Sequence, residues 1–579
     1  MSATTSRETA APRLVARADG LLDAARPVVV PFMAPRLQGE LTADGRLDLS
    51  LWGAGRLAVV SLRGPRGPGV IAPNRLVTGD GGLWVAQSAP VLLLRGARAV
   101  RVTPARRSAG WAAAVAPPPV RRDGRRRIVE LPWGVAVIEP RGPDLVVAAG
   151  VDLAEAGRGL ALSAAEIVAE ADAHVAACDG LPAADPLLRS LVVQGVHAAR
   201  SAIRRDEHGA FAGLAAGLAY SAPARTYFRD GYWTVQALLS LAPQAVLDEI
   251  DLLARGVQPD GEAPSGVIVS GPAQSAAWEA RRAAGRRLAA AHRRPGDWWS
   301  DHFDSPLFFI LMIGDYVQAT GDRTPLERHA ARIAAVFERY ARLAADGEGL
   351  PAKPRNDRDW ADNVYRQGHV AYDLGLWIGA LDVVARHVPG LASRARALRA
   401  AALPRLEALW TGTHYADWRR PDGSTEPHLA LDSLTLLRAG AAPEGRAQAV
   451  LEAARQALES RRNGVQRWGD WGMLCAFPPF ARRADVRAKS AFAFRYHNGA
   501  DWPWLDGLYA RERLRRGLPG WRYPLTRWWE TCLAQGWAGP VEYSSPPFGR
   551  GSLLQGWSGY PAAVALEFSG AVLAGDSDG

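Results

Sequence analysis

LSAAEIVAEADAHVAAC at residues 162–178 and PLLRSLVVQGV at 186–196 decide the fold, because the apolar period changes there. Upstream, hydrophobic residues come in short alternating runs. From here on they recur about every three to four residues, as one face of a helix requires. Leu187, Leu188, Leu191, Val192 and Val196 make the first long stripe.

Working back toward the N-terminus, residues 25–155 read as short strands broken by Gly and Pro: RLDLSLW (46–52), RLAVVSL (56–62), PVLLLRG (90–96), RRIVELPWGVAVIEP (126–140) and DLVVAAGV (144–151). That spacing predicts an antiparallel β-sandwich. Working forward, helices are expected near 186–205, 231–241, 245–256, 306–320, 325–345, 371–387, 391–411, 427–438, 445–459, 503–515, 524–535 and 555–567. Thr324-Pro325-Leu326-Glu327 reads as a capping box. About twelve helices without a fixed repeat make six hairpins closed into an (α/α)6 barrel, rather than a solenoid. The expected division is a flexible tail (1–20), a β-sandwich (21–158), a helical linker (159–185), the barrel (186–570) and a second flexible tail (571–579).

The formal charge of +10 suggests nucleic acid at first sight, but only Lys353 and Lys489 are lysines and the arginines are scattered, as codon bias in a GC-rich genome produces. The densest run, Arg121 to Arg127, lacks interleaved aromatics and reads as a solvated loop. Cys178, Cys475 and Cys532 form no CxxC pair and read as buried thiols, with no zinc site. No long uncharged apolar stretch or leader-like segment is present, so neither membrane nor nucleic acid is an expected partner and the expected location is the cytoplasm. P-loop, dinucleotide-fingerprint and nucleophile-elbow motifs are absent, Gly556-Trp557-Ser558-Gly559-Tyr560 failing the last at its final position.

The chain holds 21 tryptophans, and they gather beside acids: RDGYW (229–233), DWWSDHFDS (297–305), DWADN (359–363), WGDWG (468–472), DWPW (501–504) and WWE (528–530). Indole faces stack on the apolar faces of sugars, and carboxylates accept from their hydroxyls, so the pattern points to a saccharide site. Hydrolysis with inversion needs two carboxyl groups roughly 6.5–9.5 Å apart, one protonated and one ionised. Asp357, Asp359 and Asp362 precede one apolar helix, and Glu542 precedes the last.

These segments, in this order, resemble the six-hairpin glycosidases over roughly residues 190–570, especially the glucosidase domain of glycogen debranching enzymes and the neutral invertases. The resemblance rests on Phe228-Arg229-Asp230, Asp304-Ser305-Pro306-Leu307-Phe308, Trp360-Ala361-Asp362, Tyr496-His497-Asn498-Gly499 with Trp502-Pro503-Trp504, and Glu542 followed by Gln555-Gly556-Trp557-Ser558. It implies Asp362 as general acid and Glu542 as general base, with Asp359 the other candidate acid. Arg229, Asp230, Asp304, Trp360, Tyr496, His497, Trp502, Trp504, Gln555 and Trp557 are the implied substrate-binding residues, and no metal or organic cofactor is implied. The chain departs from debranching enzymes in having Tyr227-Phe228 where those carry Trp-Gly. The expected activity is hydrolysis of an α-glucoside or malto-oligosaccharide. The alternatives are a sucrose- or trehalose-type hydrolase, a phosphorylase, or a non-hydrolytic carbohydrate-binding protein.

Overall fold

The computed structural model describes residues 13–64, 67–109, 112, 114–269, 302–354 and 358–577. Asp357 and the Asp297–Asp301 part of DWWSDHFDS lie outside the described residues. The fold is mixed α and β, and the chain divides into two units.

The first unit comprises residues 1–51, 56–194 and 529–540. Its described residues form a ten-stranded and a five-stranded antiparallel sheet. Arg46–Leu51 shows why: Leu47, Leu49 and Leu51 alternate with polar residues, so one face of the strand is buried and the other is not. Burying each such leucine contributes about 1.5–3 kcal/mol. The helices Leu153–Ala161 and Ala164–Cys178 cover the larger sheet, placing Ala156, Ile167 and Ala171 against Trp84, Leu93, Val137 and Val146. The expected linker is therefore in part core of this unit, because its apolar stripe finds a sheet to cover. Leu14–Ala16, inside the expected N-terminal tail, pairs with Leu22–Ala24. The arginine run is a solvated hairpin rather than a loop, with Arg121 and Arg126 paired to Glu130 and Glu139.

The second unit comprises residues 52–55, 195–528 and 541–579. Phe228–Leu238 packs on Ser305–Thr320, which packs on Ala371–His387, then Thr435–Arg438 with its preceding 3-10 turn Leu431–Leu434, then Pro503–Arg515, then Tyr560–Glu567, which returns to Phe228–Leu238. Ser305–Thr320 is buried on every side from Ser305 to Gly314, as a helix flanked all round must be. Ala330–Asp346, by contrast, buries one stripe of Ile333, Val336, Phe337, Tyr340, Ala341 and Ala344. Gly375 permits one close approach in the cycle, since a Cβ there would lie 2.4 Å from the backbone of Thr435.

Several helix expectations change: 186–205 ends at Ala202, with Ile203–Arg205 a strand, and 555–567 opens with the 3-10 turn Gly556–Gly559. The stretch 325–345 is two helices, Thr324–Arg328 and Ala330–Asp346, broken at His329. Thr324 does not cap, because Asp322 takes the Thr324 N–H at 2.9 Å, whereas Ser163 and Glu166 form a complete capping box. The expected helix 427–438 is shorter, starting as the strand Leu429–Ala430. The C-terminal tail is docked in part: Ser569–Ala574 is helical, and Asp576 accepts from the N–H groups of Gly520 and Arg522, each at 2.8 Å. The three cysteines are buried and form no disulfide among the described residues. Among the described residues, no helix is long and apolar enough to cross a membrane.

Short ribbons lead into the helices of the cycle and fix their N-terminal ends: Arg225–Tyr227 with Gly266–Ile268, His369–Val370 with Trp418–Arg419, and Leu429–Ala430 with Ala476–Phe477. At the C-terminal ends lies a cavity of about 420 Å³ bordered by Asp315, Arg386 and Arg438. Arg386 and Arg438 stand in the last turns of their helices, where the backbone dipole favours cations.

Candidate functional site

Asp230 stands in the first turn of Phe228–Leu238 and Asp304 at the N-cap of Ser305–Thr320, and the structure separates Asp359 from Asp362. Asp359 is fully buried and receives Lys353 Nζ at 2.7 Å and Arg366 Nη2 at 2.7 Å. Arg366 also reaches Asp417 at 2.8 Å and Asp432 at 2.6 Å, and Asp432 accepts from the Trp360 indole N–H. Burial alone would raise the Asp359 carboxyl, but Arg366 and Lys353 outweigh it and hold it well below the usual carboxylate range. Asp417, where burial outweighs Arg366, is pushed up to about 7. Asp359 is thus an ionised strut and not a cap for the following helix.

Three residues on, the Asp362 side chain is 10% exposed. Its Oδ1 lies 3.5 Å from His497 Nδ1 and has no hydrogen-bond partner among the described residues. Arg487 holds its main-chain carbonyl at 2.6 Å. Burial pushes the Asp362 carboxyl up against the pull of Arg229 and His302. Burial, then Arg229, drives His497 well below its ordinary value, so the ring is neutral. Its Nδ1 accepts from the Asn363 N–H at 3.4 Å, which leaves the ring proton on Nε2.

Glu542 is buried differently. Its Oε2 accepts from the Ser552 N–H at 3.1 Å and its Oε1 from the Tyr220 hydroxyl at 3.3 Å. A Cβ on Gly551 would lie 2.4 Å from that Oε2, so glycine is what lets the carboxylate fold under its own loop. Burial pushes Glu542 up, as does the charge of Asp362, while Ser552, Lys489 and Tyr220 pull it down. The charges of Asp362 and Glu542 both reach the Tyr220 and Tyr496 hydroxyls, so the two acids share one neighbourhood.

Arg229 donates to Asp304 at 2.8 Å, and Tyr372 donates to the same oxygen at 3.1 Å. Burial would raise Asp304, yet Arg229 and His302 keep it low. With its side chain fully buried, Asp304 fixes Arg229 in place. Asp230 accepts from Gln555 at 3.1 Å and is pushed up to about 7 by burial, Arg229 opposing and Glu542 adding.

The aromatic residues interlock. Trp360 meets His497, Trp502 and Trp504 edge to face at ring centroids of 4.8, 5.3 and 5.4 Å. His497 stacks on Trp502 at 5.0 Å, and Trp557 touches Trp502 and Trp504 at 5.7 and 6.3 Å. Trp502 and Trp504 are too buried to offer a free face. Phe494, Tyr496 and Leu554 are held at φ of 61°, 53° and 48°, a left-handed conformation costly for such side chains and sustained by the surrounding contacts.

Sequence reading missed Lys353, Arg366, Asp417 and Asp432, which carry no local motif and meet only in the fold. It also missed Tyr220, an isolated tyrosine in a small-residue loop.

No family model matches the chain, and no curated protein matches it. Among solved structures, a bacterial glucoamylase complexed with acarbose is similar over 98% of this chain and 95% of its own, at 9% identity and a TM-score of 0.55. That likeness shows a shared fold. A GH78 family rhamnosidase of a Bacillus species matches 66% of the chain at 16% identity and a TM-score of 0.45, with only 35% of the rhamnosidase covered. A GH63 mannosylglycerate hydrolase from Thermus thermophilus, in complex with glucose, matches 64% of this chain and 98% of its own at 17% identity and a TM-score of 0.44.

Proposed function

We propose that this protein is an inverting glycoside hydrolase acting on an α-glucoside, in which the cycle of six helices is the inner layer of an (α/α)6 barrel and the two sheets form a β-sandwich. The observation that carries the reading is the contrast between two buried carboxyl groups. Burial raises the proton affinity of both, but Asp362 has an oxygen with no donor among the described residues, while Glu542 is held by an N–H and an O–H that favour its ionised form. Asp359, tied to two cations, has no proton to give.

In this mechanism Asp362 delivers its proton to the glycosidic oxygen as the C–O bond breaks. Glu542 takes a proton from the water whose oxygen bonds to the anomeric carbon from the opposite face. The turnover leaves Asp362 ionised and Glu542 protonated, and exchange with solvent resets both. Arg229, positioned by Asp304, and Asp230 with Gln555 bind hydroxyls of the sugar; Trp360, Tyr496, His497, Trp502, Trp504 and Trp557 form the walls that exclude water. A phosphorylase would need room for phosphate where Glu542 is anchored, so hydrolysis is favoured.

The acarbose-bound glucoamylase supports a glucoside, as does the resemblance to debranching enzymes. The test is sugar release from maltose, isomaltose, sucrose and trehalose by wild type, Asp362→Asn and Glu542→Gln. Either substitution is expected to lower kcat/KM by about 10²–10⁴-fold on the substrate that is cleaved. Cleavage that survives both substitutions would remove these residues from the chemistry.

A further inference from the structure

Two of the 69 Lys and Arg residues in this chain are lysines, and both stand beside the acid-bearing loops. Lys353 is bound to Asp359. Lys489 is exposed, on the 3-10 turn Ala488–Ala491, with Nζ 4.7 Å from the Tyr496 ring centroid and 5.4 Å from that of Tyr543. Tyr543 follows Glu542 and Tyr496 precedes His497, so this ammonium stands next to the reacting groups. Among the described residues it makes no ion pair.

Its neighbours are also cationic. The segment 482–495 carries Arg482, Arg483, Arg487, Lys489 and Arg495 against one acid, Asp485, which is taken by Arg420 at 3.2 Å and Arg482 at 3.5 Å. Arg487 donates to the Asp362 carbonyl at 2.6 Å and the Tyr365 hydroxyl at 2.9 Å, and to no carboxylate among the described residues. Arg495 lies between two rings, 5.5 Å from the centroid of Phe492 and 4.7 Å from that of Phe548, residues that are 54% and 41% exposed. Three cations without acid partners among the described residues thus edge a site whose own acids are buried. A neutral saccharide would offer them hydroxyls but no charge to neutralise, and none of the three closes the end of a long helix. Arginine presents a rigid fork and lysine a mobile point charge, so a lysine in an arginine-dominated chain suits an anion whose position shifts as a bond breaks.

We infer that the leaving-group side of the site is an oxyanion subsite, in which Lys489, flanked by Arg487 and Arg495, holds a carboxylate or phosphate on the departing group. The inference rests on the glycosidase reading above and adds a class of substrate to it: glycosides of an acidic leaving group. The aromatic faces of Phe492 and Phe548 would carry the apolar part of that group.

The test uses the full chain and a matched pair, 4-carboxyphenyl and 4-carbamoylphenyl α-D-glucoside, at low salt. The carbamoyl compound has the better leaving group on electronic grounds, so a preference for the carboxylate reports binding. Wild type is expected to prefer the carboxylate at least ~10-fold in kcat/KM, the discrimination one unscreened ion pair can supply. That ratio should fall toward one in Lys489→Gln, be partly kept in Lys489→Arg, and shrink with added salt. In parallel, calorimetry with 4-hydroxybenzoate and 4-hydroxybenzamide reads the subsite without turnover, and competition by inorganic phosphate shows whether phosphate is accepted in the same place. Equal hydrolysis of the pair, or a ratio untouched by Lys489→Gln, overturns the subsite and leaves the glycosidase reading intact. An acid limb of the pH profile that moves alike for both substrates in Lys489→Gln would assign the lysine to Glu542 instead, and also overturns it. Failure to cleave either glucoside, with Lys489-dependent binding of 4-hydroxybenzoate, upholds the subsite and rejects the α-glucoside. Neither cleavage nor binding rejects both.

Discussion

Asp359 and Asp362 flank Trp360 in identical-looking sequence, and their surroundings give them opposite properties. Replacing Asp359 by Asn would leave Lys353 and Arg366 buried with less charge to face them, a loss of about 3–5 kcal/mol by analogy with other broken buried pairs, read as a lower denaturant midpoint. Asp362→Asn removes a carboxyl that burial already disfavours, so stability should hold or rise while activity collapses. Equal destabilisation by the two substitutions would contradict this division. The pH profile follows from the same geometry. On the proposed roles, activity should rise with pH as Glu542 ionises and fall as Asp362 loses its proton, with burial moving both limbs upward. Tyr220→Phe removes a donor to the ionised Glu542, so the acid limb should move to higher pH with the alkaline limb in place; an unmoved acid limb would exclude Tyr220 from that role. Asp362 and Glu542 became candidates through the resemblance to the six-hairpin glycosidases, carried by Trp360-Ala361-Asp362 and by Glu542 with Gln555-Gly556-Trp557-Ser558. The choice between Asp359 and Asp362 was not, since it depends on Lys353, Arg366, Asp417 and Asp432, which come together only in three dimensions.

At the scale of the element, Glu249 shows what a helix can conceal. On Pro243–Leu253 it is wholly buried, accepts from Thr226, and is pushed up to about 8 by burial, Thr226 opposing. The unfolded chain releases this proton near the ordinary glutamate value and the folded chain keeps it until about 8, so between those limits the native state binds more protons. Stability therefore falls as pH rises through that window, by an amount on the order of a few kcal/mol. Glu249→Gln should flatten the pH dependence of the melting temperature between about pH 5 and 8. An unchanged slope would mean that Glu249 ionises freely in the native state. Helices were legible where the pattern was long and unambiguous: Ala371–His387 and Pro503–Arg515 fall on the expected residues. They were misread where local chemistry competes. At Thr324 the neighbouring Asp322 outcompetes the hydroxyl as a cap, and around 429 a strand partner, Ala476–Phe477, takes the backbone before the helix can begin.

For the molecule as a whole, 9% identity to a glucoamylase that matches nearly end to end means that pattern, not residue identity, carries the fold. The change of period near residue 160 foretold sheets before helices, while the inclusion of 153–178 in the sheet-bearing unit depended on contacts that helical periodicity cannot reveal. The anomer that leaves the site first distinguishes inversion from retention. Proton NMR of fresh product from maltose or another cleaved α-glucoside should show β-glucose first, mutarotating later, with the signal lost in Glu542→Gln. Initial release of α-glucose, or of β-glucose undiminished by that substitution, would contradict the assignment of Asp362 and Glu542 as the acid and base of an inverting hydrolase.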